Sequence, residues 1–252
     1  MMEKDSLEFL RNQAVIAADK TIQSDGAGHE FVVGDNVRAF VPDDLPERIH
    51  VSTLSSIVDF IKHVGDATQH GQLLVQVESP RLVTVKSALD GYGRRAEFMV
   101  AQPTYDNFEF GEWYDRETLN IALQSQFTDL SAPGGQTADD KSILLRFISA
   151  YKESQGTTAS DDGVTQTATV QTGAASVGTA KVPNPVTLAP YRTFTEIQQP
   201  QSQFIFRMRE GMQGALFEAD AGAWRSKAIQ SIKDYFNDRL ADLDESIVVV
   251  LG

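Results

Sequence analysis

Apolar side chains recur at three- and four-residue intervals in five stretches of this chain and alternate with polar ones in several others, which separates predicted helices from predicted strands. Leu7, Leu10, Ala14 and Ala17 or Ala18 share one face of a modest amphipathic helix over residues 6–19. Gly26, Gly28 and Gly34 interrupt the pattern around Phe31-Val32-Val33, and Val37 to Val41 is an apolar run stopped by Pro42, so two short extended pieces are expected. Leu54, Ile57, Val58, Ile61 and Val64 follow Ser52 and Thr53, whose hydroxyls suit a helix N-cap, and the spacing predicts a helix over 53–64. The Leu- and Val-rich runs 73–77 and 82–85 flank Glu78-Ser79-Pro80-Arg81 as a hairpin would, and Gly91-Tyr92-Gly93 turns the chain into a third strand over 96–101.

Asp115 is placed to cap a second helix with Leu119, Ala122 or Leu123, Gln126 or Phe127, and Leu130 on one stripe, ending at Pro133-Gly134-Gly135. Asp139 or Asp140 opens the next, whose apolar face is Ile143, Leu144, Phe147, Ile148 and Tyr151. Residues 156–185 have the Thr, Ser, Ala and Gly content of a linker, yet Val164, Gln166, Ala168 and Val170 alternate with Thr165, Thr167, Thr169 and Gln171, which predicts an ordered strand. An edge strand is expected over 191–197 and a hairpin from 204–209 to 215–218 across Gly211-Met212-Gln213-Gly214. Trp224, Ala228, Ile232, Tyr235 or Phe236, Leu240 and Leu243 mark a final helix over 223–243, and the β-branched tail 247–251 is expected to pair with a sheet. The fold class is therefore α+β: an N-terminal region, 1–154, with a mixed sheet and covering helices, and a C-terminal β-rich region, 155–252, closed by a long amphipathic helix. The boundary is compositional, and one core or two remain open.

At 252 residues and 41% hydrophobic content the chain can bury one or two cores. Lys plus Arg number 22 against 35 Asp plus Glu, and the net charge of -13 repels a phosphate backbone, so direct nucleic-acid binding is not expected. Without cysteine there is no disulfide, zinc-thiolate or thiol chemistry. Met1-Met2-Glu3-Lys4-Asp5 is not a basic stretch leading into an apolar run, and no stretch of about 18 apolar residues occurs, so neither a signal peptide nor a membrane contact is expected and the cell interior is the default.

The common phosphate-loop, dinucleotide, zinc-protease and serine-hydrolase patterns are absent, and no catalytic residue, metal or cofactor is assigned. His29, His50, His63 and His70 read as exposed loop and helix-end residues, and Asp161-Asp162-Gly163 as a turn lacking the further ligands of a calcium loop. Glu218, Asp220, Asp234 and Asp238 would have to converge to hold a divalent ion; Asp220 as a helix cap and Asp234 with Asp238 on a solvated face is the plainer reading. Arg192, Arg207, Arg209 and Arg225 are the densest cationic group and the candidate site for an anionic ligand, with pairing to neighbouring carboxylates as the alternative. Trp113, Tyr114, Trp224 and Tyr235 fit core packing better than partner anchoring.

The predicted 53–64 helix, Ala88-Leu89-Asp90-Gly91-Tyr92, the 113–127 segment, Val182-Pro183-Asn184-Pro185-Val186-Thr187-Leu188-Ala189-Pro190-Tyr191-Arg192-Thr193-Phe194 and the run 204–210 follow one another in an order that resembles the YfdQ-like phage and prophage proteins, a family of unknown function. The resemblance implies expression in the bacterial cytoplasm during infection or prophage induction, among accessory genes near recombination functions, and carries no activity onto particular residues. The expected role is a non-enzymatic phage accessory protein that binds a host or phage protein, in counter-defence or recombination. The alternatives are a self-assembling virion or assembly component, which would be a homo-oligomer, and a binder of small anionic ligands.

Overall fold

The computed structural model describes residues 21–24, 30–33, 38–39, 45–63, 71–91, 93–129, 139–150, 166–171, 177–244 and 247–252. The expected 6–19 helix and the Asp161-Asp162-Gly163 turn lie outside them. Strands β1 (Thr21–Ser24), β2 (Glu30–Val33) and β3 (Arg38–Ala39) form an antiparallel sheet in that order. β2 and β3 fall on the two expected extended pieces.

β4 (Ile49–Val51) leads into α1 (Leu54–His63), which buries Leu54, Ile57, Phe60 and Ile61. Thr53 Oγ1 accepts the Ser56 N–H at 3.3 Å, while the free Leu54 and Ser55 N–H groups donate at 2.8 Å to the two carboxylate oxygens of Glu196. A carboxylate at a helix N-terminus satisfies orphan donors and opposes the helix dipole. β5 (Leu73–Ser79), β6 (Leu82–Lys86) and β7 (Glu97–Ala101) form an antiparallel meander with Val75 opposite Val85 and Val77 opposite Val83. Period two then sends Leu73, Val75, Val77, Val83 and Val85 to one face, where all are buried.

β8 (Tyr114–Asp115) ends at the cap of α2 (Arg116–Ser125): Asp115 Oδ1 accepts the Glu117 and Thr118 N–H groups at 3.0 Å each. Leu119, Ala122 and Leu123 are buried as the stripe predicts, and Phe127, beyond the helix end, bridges Pro190. α3 (Asp140–Ala150) buries Leu144, Phe147 and Ile148, but Ile143 is 38% exposed and lies off the expected face. β9 (Thr167–Gln171) and β10 (Val177–Lys181) form a hairpin within the Thr- and Ser-rich stretch, where alternation outweighs composition.

β11 (Val186–Leu188), β12 (Ser202–Arg209), β13 (Gln213–Glu218), α4 (Trp224–Arg239) and β14 (Val248–Leu251) complete the chain. The edge strand expected over residues 191–197 does not form. Arg192 and Thr193 donate their N–H groups to Gln199 Oε1 at 3.1 and 3.3 Å, and Gln199 Nε2 donates to the Phe194 carbonyl at 2.9 Å. One side-chain carboxamide thus replaces the neighbouring strand that the alternation of apolar and polar residues predicts.

The larger sheet has the order β14-β5-β6-β7-β4, with β14 and β4 parallel to their neighbours at its two edges; the smaller is antiparallel, β11-β12-β13-β8. Helices α1 and α4 pack with one face of the first around Ile57, Val75, Val85, Phe194, Ile232 and Phe236. Helices α2 and α3 pack with one face of the second around Leu123, Phe127, Leu144, Phe204, Phe206 and Leu216. Each cluster joins residues from both sides of 154/155, and the long final helix lies over the five-stranded sheet, to which β14 returns. Among the described residues no helix is long and apolar enough to cross a membrane.

Two open backbone positions of the smaller sheet are covered by side chains. Asp140 Oδ2 accepts the Thr187 N–H of β11 at 2.6 Å. Where β12 runs past β11, the Gln166 carboxamide accepts from Met208 N and donates to Met208 O at 2.9 and 2.7 Å, acting as one residue of a missing strand.

Candidate functional site

Between β11 and β12 the chain crosses from one core to the other, and Arg192 stands at the crossing, 2% exposed. Its Nη1 donates to Glu218 Oε1 at 3.0 Å and its Nη2 to the Pro200 carbonyl at 3.3 Å and to Ser202 Oγ. The guanidinium lies 4.1 Å from the Trp224 ring centroid and 5.6 Å from that of Phe204. Burial lowers its pKa to about 10 despite the attraction of Glu218 and Asp220, and Arg225 adds repulsion, yet the group stays cationic at neutral pH. Glu218 also accepts from Trp224 Nε1 at 3.1 Å.

Ser202 Oγ donates to Asp220 Oδ2 at 2.6 Å, and Asp220 Oδ1 accepts the Gly222 N–H at 3.0 Å. Burial alone would raise the Asp220 pKa, but these hydrogen bonds and the Arg192 charge hold it below the ordinary carboxylate value. Asp220 is not the α4 N-cap; Ala223 occupies that position without a side-chain bond, and Asp220 instead holds the preceding turn. The hydroxyl proton of Ser202 is committed, and the residue is 5% exposed, so it is not offered to a substrate. This arrangement fastens two cores through an ion pair in which both Nη atoms of Arg192 are hydrogen-bonded, while its buried Nε has no partner among the described residues.

The four arginines do not converge. Arg225 lies 4.9 Å from the same Trp224 ring, at the Arg192 end. In the β12–β13 hairpin Phe204 faces Glu218 and Arg209 faces Gln213, so Arg209 is five strand residues, about 17 Å, away. Arg207 and Arg209 alternate with the buried Phe206 and Met208 and share the sheet face opposite α2 and α3. There Arg209 donates from Nε to Gln213 Oε1 at 2.6 Å and lies 4.4 Å over the Trp113 ring, and Trp113 meets Phe217 edge-on at 6.2 Å. Ile205, opposite Phe217, is 38% exposed. Sequence reasoning grouped the arginines by density and overlooked Phe217 and Ile205; the hairpin register, once assumed, places both beside Arg207.

The remaining candidates separate. His50 is exposed on β4 and His63 ends α1, while His29 and His70 lie outside the described residues. Glu218 and Asp220 turn to Arg192 and its surroundings, whereas Asp234 accepts from Gln230 on exposed α4 surface at 2.8 Å. Among the described residues no group of three or more potential ligands could hold a metal ion. Tyr114 packs with Phe108 at 5.0 Å, Tyr235 packs against the first core and Trp224 is buried, as the core reading expects, whereas Trp113 departs from it and lies with Phe217 and Arg209 on the outer sheet face. Comparison with protein-family models, curated proteins and solved structures finds no match.

Proposed function

We propose that this chain is a phage-encoded accessory protein of the bacterial cytoplasm that works by binding a host or phage protein rather than by catalysis. The observation that carries the reading is the outer face of the β12–β13 hairpin, where Trp113, Phe217, Ile205 and Arg209 gather on the side of the sheet away from α2 and α3. Aromatic and arginine side chains dominate the energetics of protein interfaces because they bring large area at low conformational cost and keep a polar handle. The net charge of -13 supports solubility and salt-sensitive recognition without naming the partner. An anionic small-ligand site has less support, since Glu218, Ser202 and the Pro200 carbonyl already take hydrogen bonds from Arg192.

The test is affinity purification of the tagged chain from an induced host, alongside Trp113→Ala and Arg209→Glu. A stoichiometric partner held by the parent and lost by both variants, with unchanged circular dichroism, supports the reading. Capture of the same proteins by all three chains overturns the assignment of this face.

A further inference from the structure

Of the four edges of the five- and four-stranded sheets, one lacks the protection seen at the other three. β4 is three residues long, contains His50 and follows Arg48, β8 is two residues long and ends in Asp115, and the Thr187 N–H of β11 is taken by Asp140. β14 is Val248-Val249-Val250-Leu251, an edge strand with neither charge nor proline. Short strands, charges and proline are the usual guards against pairing with another chain.

The ladder geometry shows which groups are open. Ile247 O accepts from Leu73 N at 2.7 Å, and Leu73 is registered with Val248 in a parallel pair. The N–H groups of Val249 and Leu251 therefore face β5, and the N–H and C=O groups of Val248 and Val250 face away from the sheet. Among the described residues none forms a hydrogen bond to those four outward groups. Val248 and Val250 send their side chains to the first core, so Val249 and Leu251 lie on the opposite face, where Leu251 is 48% exposed.

We propose that two copies of this chain pair antiparallel along β14, with a twofold axis at Val249, to make one continuous sheet of five strands from each copy. This goes beyond the partner-binding reading and uses a different surface. In that register Val248 of one copy and Val250 of the other exchange both backbone hydrogen bonds, and the symmetric pair repeats it, which satisfies all four outward groups. Val249 meets its own counterpart, and Leu251 meets Ile247 of the second copy, apolar against apolar. A one-residue shift would turn the outward groups away from each other. A seam this short makes a dimer that dissociates on dilution.

The chain has no cysteine, so Val249→Cys introduces a single reporter. Directly opposed, non-hydrogen-bonded residues of an antiparallel pair stand about 4.5 Å apart at Cα, within disulfide reach. Mild oxidation of the full-length chain is expected to convert V249C to a covalent dimer, and to leave Leu251→Cys uncrosslinked because the two copies of that residue are separated along the seam. Native mass of the parent should fall from two chains to one on dilution, while Val249→Lys, which sets two like charges face to face on the open side of the sheet, should halve the mass at the highest concentration with unchanged circular dichroism. A parent of single-chain mass at every concentration, a V249K that still dimerises, or crosslinking of L251C in place of V249C overturns the proposal. Partner capture through Trp113 is read separately and does not depend on any of these outcomes.

Discussion

Replacing Arg192 and Glu218 singly and together tests whether the crossing between the two cores is held by an ion pair with unequal halves. Glu218→Leu removes the acceptor of both Arg192 Nη1 and Trp224 Nε1, at 3.0 and 3.1 Å, and leaves a guanidinium of 2% exposure without its countercharge. Breaking a buried pair from one side costs about 3–5 kcal/mol, and because the Glu218 side chain is 29% exposed, water can approach and the lower figure applies. Arg192→Met instead leaves Glu218 to rehydrate with its Trp224 donor intact and Ser202 still bonded to Asp220, and the apolar stem keeps part of the Trp224 contact. Its expected cost is about 1–2 kcal/mol. The double variant should be more stable than Glu218→Leu alone, since it removes the orphaned charge. Urea unfolding followed by circular dichroism, with midpoints compared at constant slope, measures all four corners of the cycle. The reasoning is refuted if Glu218→Leu is no more destabilising than Arg192→Met, or if the two losses simply add.

Gln166→Ala should cost about 2 kcal/mol, because it strips both backbone partners from the buried Met208 edge; native-state hydrogen exchange should show faster exchange at the Met208 amide, and unchanged protection would count against the strand-mimic role. Gly214→Ala should destabilise by about 1–3 kcal/mol, since its Cβ would sit 2.7 Å from Leu119 Cδ2 and 2.9 Å from Phe206 Cε2; a neutral melting shift would show that α2 gives way freely. Glu78 is held below the ordinary carboxylate value by the Thr84 hydroxyl, against burial and with help from Lys86, and Asp220 is lowered as described. Depressed folded-state values stabilise above the unfolded carboxylate pKa, and this stability is lost as pH falls through the folded values, so acid melts of Thr84→Val and Ser202→Ala should show a shallower loss than the parent. Parallel curves would remove these groups from the account of acid sensitivity.

Most of the repeating structure was legible in order along the chain, because period and capping are local. Leu54, Ile57 and Ile61 announce α1, Asp115 announces α2, and the Val-rich runs announce β5 and β6 through the same spacing that later buries them. The α+β class follows from that pattern, and the apolar 247–251 tail foretold a strand without naming its neighbour. What local pattern could not convey is where a side chain goes when its backbone partner lies far along the chain. Residues 191–197 alternate like an edge strand, yet Gln199 takes the hydrogen bonds that a strand would have needed. Glu196 caps a helix that begins 142 residues earlier, and Gln166 completes a strand 42 residues later. The arginines illustrate the same division: their density is visible in the chain, but the crossing between β11 and β12 buries Arg192 against Glu218, and hairpin pairing puts Arg209 at the far end beside Trp113. Periodicity is set by each element's own backbone geometry and so can be read from composition along it, whereas burial of a polar group is set by whichever distant acceptor can repay its lost hydration, and only the assembled tertiary structure brings that acceptor within reach.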